Sequence, residues 1–256
     1  MPTWNADQYL RFADQRTRPC RDLAAAVALE NPRRIVDLGC GPGNSTAVLA
    51  ARWPEARVEG VDSSAEMIAA ARKAVPEGTW TVDDIATWEA AGPVDLLFSN
   101  AALQWVPDHA GLYPRLFTRV AAGGAFAVQV PANLNAPAHE AMREVAGSAA
   151  WRSFFPQPVR EWHASAREVY YDLLAKAAAR IDLWETEYLH VLPGTEAIVD
   201  WYKGTGLRPF LDALPDEAAR ARFLSDYGEA LRPLYPVRPD GRVLFPFQRL
   251  FLIAYR

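Results

Sequence analysis

Residues 36–45 read VDLGCGPGNS, and this stretch decides the fold. The apolar run Ile35 to Leu38 in front of it predicts a short buried strand, and Ser45 to Arg52 after it predicts a helix. Gly39, Gly41 and Gly43 lie between the two and let the backbone turn tightly, with no Cβ to keep a ligand away. We therefore expect a strand-to-helix turn whose backbone N–H groups face polar ligand atoms.

The first half of the chain continues to alternate between strands and helices. Further strands are predicted at 57–62, 79–82, 94–98 and 125–130, and further helices at 65–74 and 109–120. Alternation of this kind predicts a parallel sheet that is covered by helices on both faces.

The second half has a different pattern. Helices are predicted at 136–150 and 168–178, and two late strands at 180–192 and 242–256. Between these strands, 193–240 is mostly helical, aromatic and interrupted by prolines. We predict a single α/β domain over 1–256, doubly wound, with 193–240 as a helical lid inserted before the last strand.

Composition narrows the class of protein. The chain has 256 residues, 50% of them hydrophobic and 23% charged, which is too apolar for a disordered chain. The net charge of −4 gives no basic field for nucleic acid. Two cysteines and the absence of an uninterrupted apolar leader or spanning segment favour a cytoplasmic protein with no membrane partner.

Ligand-type residues follow the ends of the predicted strands. A dinucleotide fingerprint starting at Gly39 requires glycine at position 44, where the sequence has Asn44. Asp62 ends the second strand, Asp84 ends the third, and Asn100 follows the fourth. Since open α/β sheets bind ligands at the carboxyl ends of their strands, we expect these groups to surround one site.

The pattern D-x-G-x-G-x-G resembles the first motif of the class I S-adenosylmethionine-dependent methyltransferases, and the likeness covers roughly residues 30–130. The resemblance implies a Rossmann-like, mostly parallel seven-stranded sheet and S-adenosylmethionine as methyl donor. It places Asp62 on the ribose hydroxyls, Met67 against the adenine, and Asp84 on the adenine amino group. The full set of donor-binding residues that it implies is Asp37, Gly39, Gly41, Gly43, Asp62, Ser63, Met67, Asp84, Ile85, Asn100 and Ala101.

Three other stretches of the sequence indicate which family of methyltransferases the chain resembles. Trp4-Asn5 with Tyr9-Leu10, the segment NAALQWVPDH at 100–109, and TGLRP at 205–209 are similar to the trans-aconitate 2-methyltransferases, nearly end to end. This family implies methyl transfer to one carboxylate of trans-aconitate or a close polycarboxylic acid. The products are a monomethyl ester and S-adenosylhomocysteine. We expect 1–30 to form a helical segment that covers the donor.

A carboxylate acceptor is already deprotonated at neutral pH, so no general base is required. The acceptor's negative charges need cations, and arginine offers a bidentate fork for them. The candidate acceptor-binding residues are Arg208, Arg249, Trp201, Tyr202, Tyr170, Tyr171 and Trp105, with Arg16 and Arg18 as further cations. His109 is a possible base, although a surface position is the favoured interpretation.

Alternatives stay open at this point. Another small acceptor, such as a phenol, an amine or a different acid, would give His109 a larger role as base. A module that binds S-adenosylmethionine without catalysis is a further possibility. No His, Cys, Asp and Glu spacing is typical of a metal site. The sequence leaves the oligomeric state open and is compatible with a monomer.

Overall fold

The computed structural model describes residues 13–159 and 162–256, and these residues form two compact units. The first unit comprises the described residues up to Pro131, together with His163–Thr186 and Arg249–Arg256. The second comprises Ala132–Trp162 and Glu187–Gln248. Within the described ranges, no helix is both long and apolar enough to cross a membrane.

A seven-stranded sheet organises the chain, in the strand order β3-β2-β1-β4-β5-β7-β6. Strands β1 to β5 pair in parallel, and β7 runs antiparallel to β5. This arrangement confirms the predicted doubly wound, mostly parallel sheet. The strands are β1 (Arg34–Leu38), β2 (Arg57–Asp62), β3 (Thr79–Val82), β4 (Val94–Asn100), β5 (Val120–Pro131), β6 (Arg180–Leu192) and β7 (Val243–Tyr255).

Helices fill the connections between the strands. In the first unit they are α1 (Ala13–Ala26), α2 (Asn44–Arg52), α3 (Ala65–Ala74), α4 (His109–Phe117) and α6 (Arg167–Leu174). In the second unit they are α5 (Pro137–Gly147), α7 (Thr195–Lys203), α8 (Arg208–Asp212) and α9 (Glu217–Leu231). The last three lie between β6 and β7, which confirms the predicted helical insertion before the final strand.

The glycine turn joins β1 to α2 as the sequence predicts. Gly39, Gly41 and Gly43 have φ angles of 74°, 53° and 93°, which are left-handed conformations that side chains disfavour. The N–H groups of Gly39 and Cys40 donate to Val61 O at 2.7 and 3.0 Å. A Cβ at Gly39 would overlap the Cβ of Ala102, which follows β4. The end of β1 is therefore held directly between β2 and the turn after β4.

Asp37 ties β1 to α2 from inside the protein. Its Oδ2 accepts hydrogen bonds from Ser45 Oγ at 2.6 Å and Thr46 Oγ1 at 2.7 Å, and the residue is fully buried. Burial raises the pKa of Asp37 from 3.8 to about 6, although both hydroxyl donors favour the carboxylate. A buried acid thus sets the position of the helix that follows the glycine turn.

Several element ends differ from the predicted ones. The helix starting at His109 ends at Phe117, and β5 already starts at Val120 because Val120 pairs with Val94 before a break in the register. The helix predicted to reach residue 178 ends at Leu174. Asp84 lies two residues beyond β3, which ends at Val82.

Replacing Gly39 by alanine should destabilise the fold more than the same change at Gly123. Both residues have φ near 75°, but a Cβ at Gly123 has no heavy atom within 4 Å, so Gly123→Ala introduces backbone strain alone. We expect a loss of about 1 kcal/mol at Gly123 and about 1–3 kcal/mol more at Gly39, where the overlap with Ala102 is added. Urea unfolding measures both, and equal losses would contradict the close packing.

Asp37 should make stability depend on pH in a defined direction. Because its folded pKa lies above its unfolded value, the native state binds the proton more tightly between pH 3.8 and 6. This contribution is complete below pH 3.8 and is lost as the pH rises through 6. Relative to Asp37→Asn, the wild type should lose about 3 kcal/mol of unfolding free energy between pH 3.5 and pH 7. A constant difference between the two proteins across this range would refute the assignment.

Candidate functional site

A cavity of about 700 Å³ lies in the first unit, where the glycine turn and the ends of β2 and β4 contribute to its lining. α1 contributes to the wall as well. The lining residues are Thr17, Cys20, Gly39, Cys40, Gly41, Pro42, Asn44, Ser45, Asp62, Ser63, Ser64, Ala65, Glu66, Met67, Asp84, Ile85, Ala86, Asn100, Ala101, Ala102, Trp105, Val106 and Pro107.

Asp62 is the best-anchored carboxylate of this cavity. Its Oδ2 accepts from Gly41 N at 2.9 Å and its Oδ1 from Ser64 N at 2.8 Å. Burial raises the pKa of Asp62 while these two donors oppose the rise. Each oxygen keeps a further lone pair for a ligand hydroxyl. A Cβ at Gly41 would meet no heavy atom within 4 Å, so the glycine leaves open space beside this carboxylate.

Two apolar side chains form a further part of the cavity wall. Met67 and Ile85 are buried, and they line the cavity together with Asp84, whose Oδ1 accepts from Ala86 N at 2.9 Å. Arg115 of α4 fixes this loop from behind: its guanidinium donates to Ile85 O at 2.7 Å and to Trp88 O at 2.6 Å. A flat apolar ring with a polar edge fits such a wall.

The segment after β4 forms the remaining wall, with Asn100, Ala101, Ala102, Trp105, Val106 and Pro107 as its lining residues. None of these six side chains titrates. The Oδ1 atom of Asn100 is buried and has no hydrogen-bond partner among the residues that the structure describes. The carboxylates that line the cavity therefore come from β2, α3 and the loop after β3, whereas the lining residues after β4 are neutral.

Cys20 and Cys40 line the cavity as free, buried thiols. Burial raises the pKa of both, and the negative charge of Asp37 raises it further. Both thiols are therefore protonated at neutral pH and are poor nucleophiles.

The expected surface position of His109 is wrong. The residue is 6% exposed, with Nε2 at 2.9 Å from Leu103 O and Nδ1 at 2.8 Å from Tyr170 Oη. A carbonyl only accepts, so Nε2 carries the proton and Nδ1 accepts from the tyrosine hydroxyl. Burial lowers the pKa of His109, which keeps the ring neutral at pH 7. With both ring nitrogens engaged, His109 has no lone pair to offer a substrate.

The predicted donor-binding residues are largely brought together. The cavity is lined by Gly39, Gly41, Asp62, Ser63, Met67, Asp84, Ile85, Asn100 and Ala101. Asp37 and Gly43 are absent from this lining. Asp37 is turned toward Ser45 and Thr46, and Gly43 caps α2, where a Cβ would meet Trp80 at 3.0 Å. The roles of all eleven residues stay predictions.

The predicted acceptor-binding residues are more dispersed. In the first unit Trp105 lines the cavity, whereas Tyr170 is buried beside His109 and Tyr171 is 49% exposed on α6. Arg249 is buried and donates to Gln129 Oε1 at 3.2 Å.

Three further candidates belong to the second unit. Trp201 packs on His190, Tyr202 accepts from Asn133 Nδ2 at 3.2 Å, and Arg208 begins α8. The stretches Trp4-Asn5 and Tyr9-Leu10, and the side chain of Arg16, lie outside the described residues. Arg18 is exposed on α1 and pairs with Asp22.

The sequence missed part of the lining. Thr17 and Cys20 of α1 reach the cavity, but a helix with a charged and mixed composition gives no signal for this. Val106 and Pro107 also line the cavity, directly after Trp105, but they lie in the stretch that resembles the family and have no separate signal for a site. In the part of the chain that the structure describes, no group of three or more His, Cys, Asp and Glu residues is arranged to hold a metal ion.

Solved structures of other proteins have a fold similar to that of this chain. The YcgJ protein of Bacillus subtilis aligns over 93% of this chain and 98% of its own, with a TM-score of 0.61 and 12% identity. Phosphoethanolamine N-methyltransferase 2 of Haemonchus contortus, solved with S-adenosyl-L-methionine, aligns over 95% of this chain and 52% of its own, with a TM-score of 0.55 and 18% identity.

Sequence comparison identifies the family. A family model described as a methyltransferase domain matches residues 35–124. Trans-aconitate 2-methyltransferase of Azoarcus sp. (strain BH72) is 50% identical and covers 100% of both chains. The enzyme of the same name from Methylobacterium nodulans is 50% identical over 100% of this chain and 99% of its own. That of Escherichia coli O45:K1 is 46% identical over the same shares. The chain therefore belongs to the trans-aconitate 2-methyltransferase family.

Proposed function

We propose that this chain transfers a methyl group from S-adenosylmethionine to one carboxylate of trans-aconitate, or of a close polycarboxylic acid, and releases the monomethyl ester and S-adenosylhomocysteine. The observation that carries the proposal is the identity of about one half, over the whole chain, to relatives of that name. The cavity supports it, because its residues suit an adenosyl group with a reactive end.

The proposed donor-binding residues divide by chemistry. Asp62 accepts the ribose hydroxyls, since both its oxygens are preset by backbone donors. Met67 and Ile85 pack on the adenine, and Asp84 accepts from its amino group. Asn100 and Ala101 face the reactive end, while Gly41 leaves space for the ligand. When bound, S-adenosylmethionine supplies an electrophilic methyl group on a positively charged sulfur.

The neutral wall suits a carboxylate acceptor. A carboxylate is ionised at pH 7 and attacks without losing a proton, so the enzyme needs to align the groups and exclude water. Trp105, Val106 and Pro107 provide an apolar surface for that exclusion. His109 is engaged on both nitrogens and does not provide a base.

The acceptor's remaining carboxylates need cations, for which we propose Arg208 and Arg249. Trp201, Tyr202, Tyr170, Tyr171 and Trp105 stay candidates for the surrounding surface. We also propose that 1–30 covers the donor, which α1 supports because Thr17 and Cys20 line the cavity, and that 193–240 acts as a lid. Two free cysteines support a reducing cytoplasmic setting.

The alternative is a methyltransferase for a phenol, an amine or another acid. A phenol or amine would favour a base close to the methyl group, and the six lining side chains after β4 offer none. We therefore rank it second.

Methyl-labelled S-adenosylmethionine, incubated with the protein and a panel of acceptors, tests the proposal. We expect label in an ester of trans-aconitate, with much less transfer to phenols and amines. Labelling of a phenol or an amine alone would favour the alternative. No transfer to any di- or tricarboxylate would overturn the proposal.

Asp62→Ala should weaken S-adenosylhomocysteine binding by about 1–3 kcal/mol, because the ribose hydroxyls lose their acceptor in a partly buried site. Glu66→Ala is the matched control: Glu66 also lines the cavity but is exposed, and its loss should change the Kd by less than about threefold. Calorimetric titration gives both values. Equal changes in Kd for the two variants would contradict the ribose assignment, because they would show that affinity depends only on the negative charge at the cavity.

His109→Gln should lower kcat for trans-aconitate by less than about tenfold, since glutamine can replace one or both hydrogen bonds and no base is lost. His163→Gln controls for a change at a histidine whose ring centroid is 6.3 Å away. A fall of about a hundredfold or more in a folded His109 variant would indicate a general base.

A further inference from the structure

Ala101 has a strained backbone. Its φ angle is 54°, a left-handed conformation that residues with a Cβ rarely adopt. The residue directly follows β4 and lines the cavity. Strain of this kind persists only when surrounding contacts hold it.

Two contacts hold the strained residue from opposite sides. Its N–H donates to Gln129 O on β5 at 2.9 Å, which extends the sheet by one bond. Its carbonyl accepts from Nε2 of Gln104 at 2.7 Å. Gln104 is 3% exposed, and its amide donates back to a carbonyl three residues earlier. The hydrogen bond from Ala101 N to Gln129 O belongs to the sheet, whereas the hydrogen bond from Gln104 Nε2 to Ala101 O depends on one side chain.

The turn after β4, residues 100–106, packs closely against neighbouring backbone. Ala102 occupies the space that a Cβ of Gly39 would need, so the turn packs directly against the glycine loop. The backbone of Gln104 is held by a further hydrogen bond, because its main-chain carbonyl accepts from His163 N at 2.7 Å. Gln104 does not line the cavity, in contrast to its neighbours Trp105 and Val106.

We propose that Gln104 is a positioning residue for methyl transfer: its side-chain amide keeps Ala101 in the left-handed conformation that places the turn after β4 beside the reactive end of the donor. The inference rests on the proposed function for its catalytic consequence. Its structural part, that the amide holds the turn, stands on the contacts alone.

A double-mutant cycle tests the inference. Gln104→Met keeps the length of the side chain and removes the donor, so we expect kcat to fall about tenfold, with the Kd of S-adenosylhomocysteine within about threefold. Ala101→Gly removes the left-handed penalty. In that background, whatever its own activity, Gln104→Met should cost less than about threefold. Gln157→Met, at an exposed glutamine, controls for the substitution itself.

Equal losses in the two backgrounds would overturn the inference, because they would show that the amide does not act through the strained residue. A parallel loss of kcat, donor affinity and thermal stability would also overturn it in favour of a general structural role.

Hydrogen exchange separates this inference from the proposed function. In Gln104→Met, exchange of segment 100–106 should accelerate at least about threefold, while β1 keeps its protection. If the wild type does not methylate trans-aconitate, the proposed function fails. Independently of that result, unchanged exchange in 100–106 of Gln104→Met would refute the claim that the Gln104 amide holds the turn.

Gln104→Glu keeps the size of the side chain if the methionine variant does not fold. An ionised carboxylate cannot donate to Ala101 O, whereas a protonated one can. The activity of this variant relative to wild type should therefore rise as the pH falls from 8 to 6. A ratio that is constant or falls would contradict the role of the donor.

Discussion

The turn after β4 packs against Gly39 so closely that a methyl group at Gly39 would overlap Ala102. This contact joins the ends of two neighbouring parallel strands, and both ends line the cavity. The glycine turn therefore serves two purposes: it admits the neighbouring turn on one side and, at Gly41, leaves open space on the other. Asp37 holds the helix that begins after the turn, so strand, turn and helix keep one geometry.

The distribution of charge over the cavity follows from these strand ends. Asp62 is the last residue of β2 and Asp84 follows β3, and hydrogen-bond acceptors at these positions suit ribose hydroxyls and an amino group. The segment after β4 is neutral, and the histidine nearest to it in sequence uses both nitrogens inside the protein. An acceptor that arrives already ionised matches this arrangement, because no proton has to be removed beside the sulfur.

Sequence reasoning was effective where one local pattern determines the structure. Glycine spacing and apolar runs predict the turn, the alternation of strands and helices, and the acids near the strand ends, because these depend on short segments. The hydrogen bonds from Ser45 and Thr46 to Asp37 could not be predicted from the sequence, since only the packing of α2 decides which way the Asp37 side chain points. The burial of His109 could not be predicted, because its partner, Tyr170, lies 61 residues away in the chain. Long-range partners leave no local pattern. Gln104 lies only three residues from Ala101, but nothing in the sequence indicates a left-handed alanine, so this hydrogen bond emerges only from the structure.

We propose that the cavity beside the glycine turn holds the adenosyl group of the methyl donor. A crystal structure of the complex with S-adenosylhomocysteine tests this most directly. We expect one molecule in this cavity, with both ribose hydroxyls within hydrogen-bond distance of Asp62 and the sulfur next to the turn at Ala101. Binding elsewhere, or a ribose that makes no contact with Asp62, would contradict it.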